Sequence, residues 1–442
     1  MDLSSFIAVL RGAPSYRSLL RRWRRDGSLA QPLRLPRSAR GLLAAALAGD
    51  LQAPVLVVAA RPDRLLTLEE ELTAWSPGLP VRIFASPTPL FYEKEPWGAR
   101  TIHQRIAVLS DLAVAGRPAL GAAVVLVATK GLITRTLSPQ QLRGLTTRLR
   151  RGEVVRYDAL LSSLVSSGYR PESLVVEPGQ FSRRGGILDV WPPGEPFPAR
   201  LEFFGDEIES LRRFDPEQQR SLDDLETFAL TPAREAAPGL LPGSWRRYLP
   251  PEPDQAEARL EFFLAGLADE PSTLLDYLPG NAIVLLDDGA AIEEAVTEQE
   301  EQALEQQRLL RQSGGAPAGL ERPYLTLDEL RESLLGRGAI DLGFLTGPDQ
   351  PGWPLEDAFQ PGPRFAGQLN RLTEHLLAGQ VEHEPVIVVS RQADRLAEVW
   401  SSEAGETPVA DVVPSEIEPG AIVFLRGSLS DGWTLDAGSG RV

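Results

Sequence analysis

Short apolar runs separated by helical segments constrain the fold of this chain more than any other feature. These runs are Pro54–Val58, Val81–Phe84, Val124–Val127 and Ile283–Leu286. Most of them are apolar at successive positions, which is typical of a strand buried on both faces of a parallel sheet. Helical patterns at Pro62–Trp75 and Thr101–Leu112 lie between the first three runs. Strands that alternate with helices predict an α/β domain with a parallel sheet.

The pattern changes after about residue 132. A helical stretch at Pro139–Arg151 is followed by short runs at Ser173–Glu177, Gly186–Trp191, Ala199–Phe204 and Glu207–Phe214. Turn dipeptides such as Pro178-Gly179 and Gly205-Asp206 separate these runs. Tight turns in place of crossover helices predict an antiparallel meander. We therefore expect a small α+β domain inserted into the first α/β unit.

The α/β pattern returns after Thr231-Pro232, where Ile283–Leu286 precedes a long helix at Ala291–Arg311. Dense proline and glycine at 347–363 predict a linker. Beyond it, helical and apolar segments predict a further small α/β domain; they are Arg364–Leu377, Pro385–Val389, Gln392–Trp400 and Ala421–Leu425. The predicted boundaries are thus 1–131, 132–222 (the insertion), 223–346, the linker 347–363, and 364–442.

Few residues are suited to catalysis or to metal binding. The chain has no cysteine, which excludes disulfides, thiolate catalysis and cysteine-based zinc sites. His103, His375 and His383 share no metal-ligand spacing. The only lysines, Lys94 and Lys130, do not follow a glycine, so the chain contains no Gly-Lys-Ser/Thr phosphate-binding loop. The sequence therefore predicts no catalytic residue, no metal site and no bound cofactor.

Two segments still resemble parts of a nucleotide site. Ser38–Gly41 precedes a helix, where backbone N–H groups could hold an anion weakly. Asp287 and Asp288 follow the strand Ile283–Leu286, as a magnesium-binding acid would. Without a phosphate loop, the favoured interpretation is that Asp287 or Asp288 caps the helix that follows.

The charge balance limits the kinds of partner. With 45 basic and 61 acidic side chains the net charge is −16, which argues against binding nucleic acid by bulk charge. The arginine-rich segment Ser15–Arg25 either contacts phosphates or forms a solvated helix face over Leu19, Leu20 and Trp23, and the acidic balance favours the second interpretation. No secretion signal and no long apolar run is present, so we expect a soluble cytoplasmic protein that does not bind membranes.

Four residues in or beside a predicted hairpin are candidates for contact with a protein partner. They are Arg170, Phe181, Arg183 and Arg184. Guanidinium groups around an exposed aromatic ring are typical of interface hot spots. Alternatively, the hairpin carries solvated arginines and Phe181 points into the core, and the residues alone do not decide between these interpretations.

The same stretch carries a family resemblance. Gly179–Pro192 and Arg200–Asp215 resemble the signature shared by the excinuclease subunit UvrB and bacterial transcription-repair coupling factors of the Mfd type. The flanks favour the coupling factors. Ser38–Leu43 is similar to their remnant of a phosphate loop, Leu230–Glu235 to the segment after the insertion, and Leu429–Leu435 to their small third domain.

This resemblance implies an architecture and a partner. The predicted parts become domain 1A (1–131), inserted domain 2 (132–222), domain 1B (223–346) and domain 3 (364–442), with 1A and 1B forming a degenerate helicase-like unit. In the family the insertion binds UvrA. Arg170, Phe181 and Arg184 match positions implicated in that contact and Arg183 is adjacent, whereas Ser182 stands where UvrB has an arginine.

The resemblance also implies a function. We expect a non-catalytic module of nucleotide excision repair that recruits UvrA to stalled transcription complexes. The family's ATP-dependent DNA translocase, which uses ATP and magnesium, and its RNA-polymerase-binding module match no part of these residues. The alternative is a degenerate UvrB-like ATPase or DNA-binding module. Because Gly438–Val442 stops where the family continues into another strand, the sequence is expected to be a piece of a longer chain.

Overall fold

The fold is described from a computed structural model. It covers residues 1–27, 32–114, 122–315, 317, 320–343, 355, 358–365, 367–404, 409–414 and 417–436. Most of the predicted linker 347–363 and the segment Gly438–Val442 lie outside the described residues.

The strands are short and spread over the whole chain. In chain order they are β1 (Val55–Ala59), β2 (Val81–Phe84), β3 (Val124–Ala128), β4 (Thr147–Arg150), β5 (Arg170–Pro171), β6 (Gln180–Arg184), β7 (Ile187–Val190), β8 (Ala199–Phe204), β9 (Glu207–Phe214), β10 (Ser221–Asp224), β11 (Thr227–Leu230), β12 (Ile283–Leu286), β13 (Ile340–Asp341), β14 (Phe359–Pro361), β15 (Val386–Ser390), β16 (Val409–Ala410), β17 (Ile422–Arg426) and β18 (Trp433–Leu435).

Helices surround these strands. They are α1 (Ser5–Gly12), α2 (Pro14–Asp26), α3 (Arg37–Leu51), α4 (Pro62–Trp75), α5 (Ala99–Ala113), α6 (Thr129–Ile133), α7 (Pro139–Gly144), α8 (Tyr157–Ser166), α9 (Pro253–Ala258), α10 (Leu264–Leu267), α11 (Leu274–Tyr277), α12 (Gly289–Gln312), α13 (Leu327–Gly336), α14 (Leu369–Glu382) and α15 (Ala393–Ala404). Short 3₁₀ helices occur at Pro238–Leu240, Gly243–Tyr248 and Leu260–Phe263. Within the described part of the chain, no helix combines the length and the apolar character needed to cross a bilayer.

A five-stranded parallel sheet forms the largest core. Its strand order is β13-β12-β1-β3-β2. Successive residues of β1 alternate between two apolar clusters, with Val55 and Val57 facing helices α1 to α4 and Leu56 and Val58 facing the opposite side. A sheet that is covered on both faces requires strands that are apolar at every position. The predicted α/β fold with a parallel sheet is therefore confirmed.

Helix α2 carries the arginine-rich segment on its solvated side. Tyr16 and Leu19 are fully buried against the first core, and Leu20 and Trp23 pack against it. Several arginines have acidic partners nearby, such as Arg25 with Asp26. The geometry is that of a solvated face over an apolar one, as the favoured interpretation predicts.

A six-stranded sheet lies between β3 and β12 in the sequence. Its order is β10-β9-β8-β7-β6-β5, and every neighbouring pair is antiparallel except β5 and β6. One face packs against α8 through Leu160 and Leu164. The predicted meander is thus present, with one parallel edge pair that turn dipeptides could not indicate.

Two predicted elements in this region are wrong. The helix predicted at Pro139–Arg151 ends at Gly144, and Thr147–Arg150 instead forms β4, which pairs with β11. The strand predicted at Ser173–Glu177 is a loop. The side-chain oxygen of Gln180 accepts hydrogen bonds from the N–H groups of Val176 (2.9 Å) and Glu177 (3.0 Å), so a side chain satisfies this backbone in place of a strand partner.

The C-terminal part contains a parallel sheet in the order β15-β17-β16 and a two-stranded ribbon of β14 and β18. Helices α14 and α15 cover one face of the parallel sheet, where Leu376 and Trp400 pack on Phe424. The predicted α/β character of this region is confirmed, although α14 begins at Leu369, five residues later than Arg364. The predicted domain boundaries themselves remain predictions.

Candidate functional site

The candidate partner-binding surface lies on the face of the six-stranded sheet opposite α8. Strand alternation places five residues on this side: Ser182, Arg184, Asp189, Arg200 and Glu202. Ser182 pairs with Asp189, and Asp189 pairs with Arg200. Arg184 lies two residues from Ser182 on β6, and Glu202 lies two residues from Arg200 on β8, so both are on the same side. We call this side the polar face. The apolar residues that alternate with them on the same strands form the core against α8.

Asp189 organises the polar face. Its side chain is 1% exposed. One carboxylate oxygen accepts from Nε of Arg200 at 2.6 Å, and the other accepts from Nη2 of Arg200 and Nη2 of Arg184, both at 2.8 Å. A buried carboxylate is stable only when it is paired and hydrogen-bonded, and two guanidinium groups meet that need. Asp189 therefore fixes the positions of both arginines.

The two arginines differ in what they present to a partner. The Arg200 side chain is 15% exposed and stacks over Phe214 with its guanidinium carbon 4.4 Å from the ring centre. Its bonds to Asp189 raise the pKa of Arg200. The Arg184 side chain is 50% exposed, so its guanidinium combines one fixed hydrogen bond with access to solvent. Such a group is pre-organised to bind a carboxylate of a partner.

Phe181 does not lie on the polar face. It pairs with Val190 on the core side and is 5% exposed. The interpretation of Phe181 as an exposed ring that fills a partner's pocket is therefore wrong for this conformation, and the alternative of a core residue is correct. The physical reason is the two-residue repeat of a strand, which puts Phe181 and Arg184 on opposite sides of β6.

The exposed ring near Arg184 belongs to Phe204. This side chain is 79% exposed at the end of β8. Alternation along β8 continues through Glu202, so Phe203 lies on the core side, where it pairs with the buried Ile208, and Phe204 lies on the side of the polar face; the extra residue at the irregularity here belongs to β9. Across β7 the residue of β8 in register with Arg184 is Glu202, so Phe204 lies two strands across and two residues along from Arg184, or about 12 Å between backbones. The consecutive aromatics Phe203-Phe204 before a Gly-Asp turn were the sequence signal, since only one of two neighbours on a strand can enter the core.

The remaining predicted residues lie apart from Arg184. Arg170 on β5 is half-exposed, with Nη2 3.8 Å from a carboxylate oxygen of Glu177. It pairs with Gln180, so it is about 13 Å along β6 from Arg184. Arg183 is exposed on the opposite side of β6 from Arg184. The structure thus joins Arg184 to Arg200 through Asp189 and places Phe204 on the same face of the sheet, whereas Arg183 lies on the opposite face and Arg170 lies near the other end of β6.

The second candidate region is the segment Ser38–Gly41 at the start of α3. The backbone N–H groups of Arg37 and Ser38 donate to the two carboxylate oxygens of Asp431, each at 2.9 Å. The Ser38 hydroxyl lies 2.7 Å from the same carboxylate and accepts a hydrogen bond from the indole N–H of Trp433 at 2.8 Å. The anion that this helix terminus favours is therefore supplied by the chain itself.

The acids after β12 are also partnered. The Asp287 carboxylate lies 3.1 Å from Nη1 of Arg40 and 3.3 Å from Nε of Arg64. Asp288 accepts a hydrogen bond from the N–H of Ala291 at 3.1 Å and caps α12. The interpretation as a helix cap is thus confirmed for Asp288, whereas Asp287 is an ion-pair partner. Two arginines close to Asp287 oppose the binding of a cation there.

Comparison with known proteins adds independent support. The model of the UvrB interaction domain family matches residues 147–235, which include the whole polar face. The transcription-repair-coupling factor of Myxococcus xanthus is 35% identical over 218 residues, which make up 48% of this chain and 18% of that protein.

Two further relatives agree. The transcription-repair-coupling factor of Escherichia coli (strain K12) is 28% identical over 260 residues, covering 55% of this chain and 22% of the relative. That of Staphylococcus haemolyticus is 30% identical over 322 residues, covering 65% and 27%. The chain thus spans only about a fifth to a quarter of the length of the curated relatives that it matches. These matches confirm the predicted resemblance: residues 147–235 match the UvrB interaction domain family, within a chain that is similar to transcription-repair-coupling factors.

Proposed function

We propose that this chain is a protein-binding module of transcription-coupled repair that recruits UvrA through the polar face. The observation that carries the proposal is the cluster of Arg184, Asp189 and Arg200 beside the exposed ring of Phe204, inside the matched segment. A pre-organised guanidinium next to an exposed aromatic ring suits an acidic partner surface that also offers an apolar pocket.

The proposal extends to the parts of the relatives that this chain does not cover. There we place the contacts to RNA polymerase and duplex DNA, and an ATP- and magnesium-dependent translocase. The polar face would couple that machinery to UvrA. The alternative of a degenerate ATPase within these residues gains no support from α3, because Asp431 and the arginines beside Asp287 already partner the groups that a nucleotide and its metal would need.

The affinity of UvrA for the 442-residue protein tests this proposal. Arg184→Ala is expected to weaken binding by about 1–3 kcal/mol, the usual cost of truncating a hot spot. Arg183→Ala is the matched control, because it removes the same group from the opposite side of β6. We expect Arg183→Ala to change the affinity less than about threefold. Equal effects of the two substitutions, or no effect of either, would contradict the proposed surface.

A further inference from the structure

An exposed basic segment connects β4 to α8. Of the nine residues at 148–156, four are arginine and one, Glu153, is acidic, so the segment carries a net charge of +3 within a chain of net charge −16. The four arginines are all exposed, and they are Arg148, Arg150, Arg151 and Arg156. Charges further away than about 8 Å are largely screened at physiological salt. This segment can therefore attract an anion although the chain as a whole is acidic.

Strand alternation turns two of these arginines away from the core. β4 pairs with β11 to form a two-stranded antiparallel ribbon. The residue between the two arginines, Leu149, is fully buried and pairs with the buried Phe228 of β11. Arg148 and Arg150 therefore lie together on the outer face of the ribbon, about 7 Å apart along the strand.

A fixed turn presents the third arginine. The N–H of Glu153 donates to the C=O of Arg150 at 3.1 Å, and Gly152 takes the left-handed conformation, with a φ of 78°. The N–H of Gly152 also donates to the C=O of Ile208 on β9 at 2.8 Å. Arg151 lies inside this turn, so hydrogen bonds of its neighbours set the position of its backbone. We call Arg148, Arg150 and Arg151 the basic ribbon.

The two acids beside this turn compete only weakly with an external anion. The Glu153 carboxylate accepts a hydrogen bond from the backbone N–H of Arg150 at 2.9 Å, so the turn itself holds this carboxylate. The Glu226 carboxylate lies 4.0 Å from Nη1 of Arg151, and the two side chains are 84% and 52% exposed. Exposed ion pairs of this kind contribute little, so a stronger anion can replace Glu226 beside Arg151.

The outer face of the ribbon indicates the chemistry of its ligand. Arg148 and Arg150 pair there with Ala229 and Thr227 of β11, and these short side chains cannot fill a pocket of a partner. Hot spots for a protein partner usually combine arginine with a large aromatic ring. The phosphates of a DNA duplex instead offer one negative charge per about 1.7 Å of the helix axis, and arginine is a frequent donor to their oxygens. A row of guanidinium groups without an aromatic anchor therefore suits a phosphate backbone better than a protein surface.

We propose that the basic ribbon binds the phosphate backbone of double-stranded DNA. Its three guanidinium groups contact phosphates, so binding does not depend on the base sequence. The contact belongs to the non-specific class, with a Kd of about 10⁻⁴–10⁻⁶ M at physiological salt. The basic ribbon shares no residue with the polar face, so this site goes beyond the recruitment of UvrA and does not depend on it.

The affinity of the 442-residue protein for a fluorescein-labelled duplex of about 20 base pairs, measured by anisotropy, is the first test. The ribbon variant combines Arg148→Gln, Arg150→Gln and Arg151→Gln, and we expect it to bind at least about tenfold more weakly than the wild type.

The matched control is a triple variant on α2 that removes the same number of exposed arginines and the same charge. It combines Arg17→Gln, Arg21→Gln and Arg24→Gln. We expect the affinity of this control to stay within about threefold of the wild type, because screening limits the effect of distant charges. Equal losses in the two variants, a loss in the control alone, or no binding by the wild type at about 50 mM salt would overturn the proposal.

The salt dependence of binding counts the phosphate contacts. With three contacts, the affinity of the wild type is expected to fall about fortyfold between about 50 mM and about 200 mM salt. The ribbon variant should lose most of this dependence, whereas the α2 control should keep it. Equal salt dependence in the wild type and the ribbon variant would show that these arginines do not contact phosphates.

Protection of arginines in the wild-type protein is a test that does not require any variant to fold. Phenylglyoxal modifies accessible arginine side chains, and mass spectrometry of samples with and without the duplex identifies the modified positions. We expect the duplex to protect Arg148, Arg150 and Arg151 and to leave Arg17 and Arg21 unprotected. Protection of the α2 arginines alone, equal protection of both sets, or protection of neither would overturn the proposal.

Competition separates DNA from an acidic protein as the ligand. Poly-L-glutamate spaces its charges about 3.3–3.6 Å apart when extended, against about 1.7 Å along a duplex. We therefore expect it to displace the labelled duplex only at about tenfold or higher concentration of charge. Displacement at an equal concentration of charge would show that the basic ribbon binds acidic chains in general, which would refute DNA as its ligand.

UvrA affinity distinguishes this site from the polar face. The ribbon variant is expected to bind UvrA within about threefold of the wild type, because it leaves every residue of the polar face in place. A protein that binds the duplex through the basic ribbon but does not bind UvrA would contradict the proposed function alone. A loss of UvrA binding in the ribbon variant would contradict the independence of the two surfaces.

Discussion

At the scale of single residues, Asp189 has the largest influence on the polar face. It is a buried carboxylate whose two oxygens are shared between Arg184 and Arg200. Removal of one member of a buried charged cluster leaves the others unpaired, and this costs more than the pair contributes. The position of the exposed Arg184 guanidinium therefore depends on a residue that no partner can touch.

Substitution of Asp189 tests this dependence. Asp189→Asn keeps the shape but removes the charge, and we expect the free energy of unfolding to fall by about 1–3 kcal/mol. UvrA affinity is expected to fall as well, because Arg184 loses its fixed position. Asp223→Asn is the control, since Asp223 pairs with Arg213 at 3.0 Å on the exposed surface and should contribute less than about 1 kcal/mol. Urea denaturation and titration calorimetry measure the two quantities. Wild-type stability in Asp189→Asn would contradict this account.

His103 gives the protein a predictable response to acid. Burial, assisted by the nearby Arg170, lowers the pKa of His103 to about 4. The unfolded state takes up the proton near pH 6.5, whereas the folded state takes it up only near pH 4. The unfolded state therefore gains protons first as the pH falls, and stability is lost between these two values.

The variant His103→Gln removes this titration. We expect the wild type to lose about 1–3 kcal/mol more stability than the variant when the pH falls from 6.5 to 4. Above pH 7 the difference between the two proteins should not depend on pH. The measurement is urea denaturation at a series of pH values. Parallel curves throughout the acid range would show that His103 titrates normally in the folded protein.

At the scale of secondary-structure elements, the two-residue repeat of β6 and β8 decides what each aromatic residue does. Phe181 pairs with Val190 in the core, and Phe204 extends from the end of β8 into solvent. The same alternation in β8 places Phe203 against Tyr157, with ring centres 4.9 Å apart, and leaves Phe204 exposed. Chemically identical side chains are therefore buried in the core at one position and exposed to solvent at the other.

Alanine substitutions at Phe181 and Phe204 are expected to affect different properties of the protein, its stability and its binding of UvrA. Phe181→Ala should lower the free energy of unfolding by about 3–5 kcal/mol, because it leaves a cavity in the core. Phe204→Ala should leave stability within about 0.5 kcal/mol of the wild type and weaken UvrA binding by about 1–3 kcal/mol. Thermal unfolding and binding measured on the same samples separate the two effects. A folded, fully stable Phe181→Ala protein that fails to bind UvrA would reverse our assignment.

Sequence alone predicted the elements that form because of a residue pattern within the element itself. The predicted range of α4 is the observed one, because Leu65, Leu68, Leu72 and Trp75 recur at helical spacing on a buried face. β4 was missed because its partner β11 lies about 80 residues further along the chain, and no local pattern contains that pairing. The loop before β6 was mistaken for a strand because the side chain of Gln180 replaces the strand partner.

In the candidate site, too, some residues could be predicted from the sequence and others depend on strand pairing. Arg184 was identified from the resemblance and lies where a partner can reach it. Phe181 was misplaced and Phe204 missed, because the side of a strand on which a residue lies depends on the register, which is fixed by pairing across the sheet. Hydrophobicity alone does not distinguish these two residues.

At the scale of the whole molecule, the start of α3 joins distant parts of the chain. Asp431 is 393 residues from Ser38 in sequence and accepts hydrogen bonds from its N–H and hydroxyl groups. Next to it, Ser430 donates its N–H to the buried Glu71 at 3.0 Å. The C-terminal segment is therefore attached by a network of charged hydrogen bonds to helices α3 and α4, which pack on the first parallel sheet.

The variant Asp431→Ala tests the strength of this attachment. We expect it to destabilise the protein by about 1–3 kcal/mol and to make the C-terminal region more accessible to limited proteolysis. Asp411→Ala is the control, because Asp411 is exposed and pairs with Arg426 only at 3.4 Å. Unchanged proteolysis of Asp431→Ala would mean that the apolar contacts alone hold the two regions together.

The tethered carboxylate also changes how the start of α3 responds to its surroundings. A phosphate loop that binds free nucleotide is filled in proportion to the concentration of that nucleotide. Here the occupant is covalently part of the chain, so its effective concentration is set by the geometry of the fold. We therefore expect the contacts of Asp431 with Arg37 and Ser38 not to depend on the concentration of ATP, whereas a phosphate loop that binds free nucleotide would follow it.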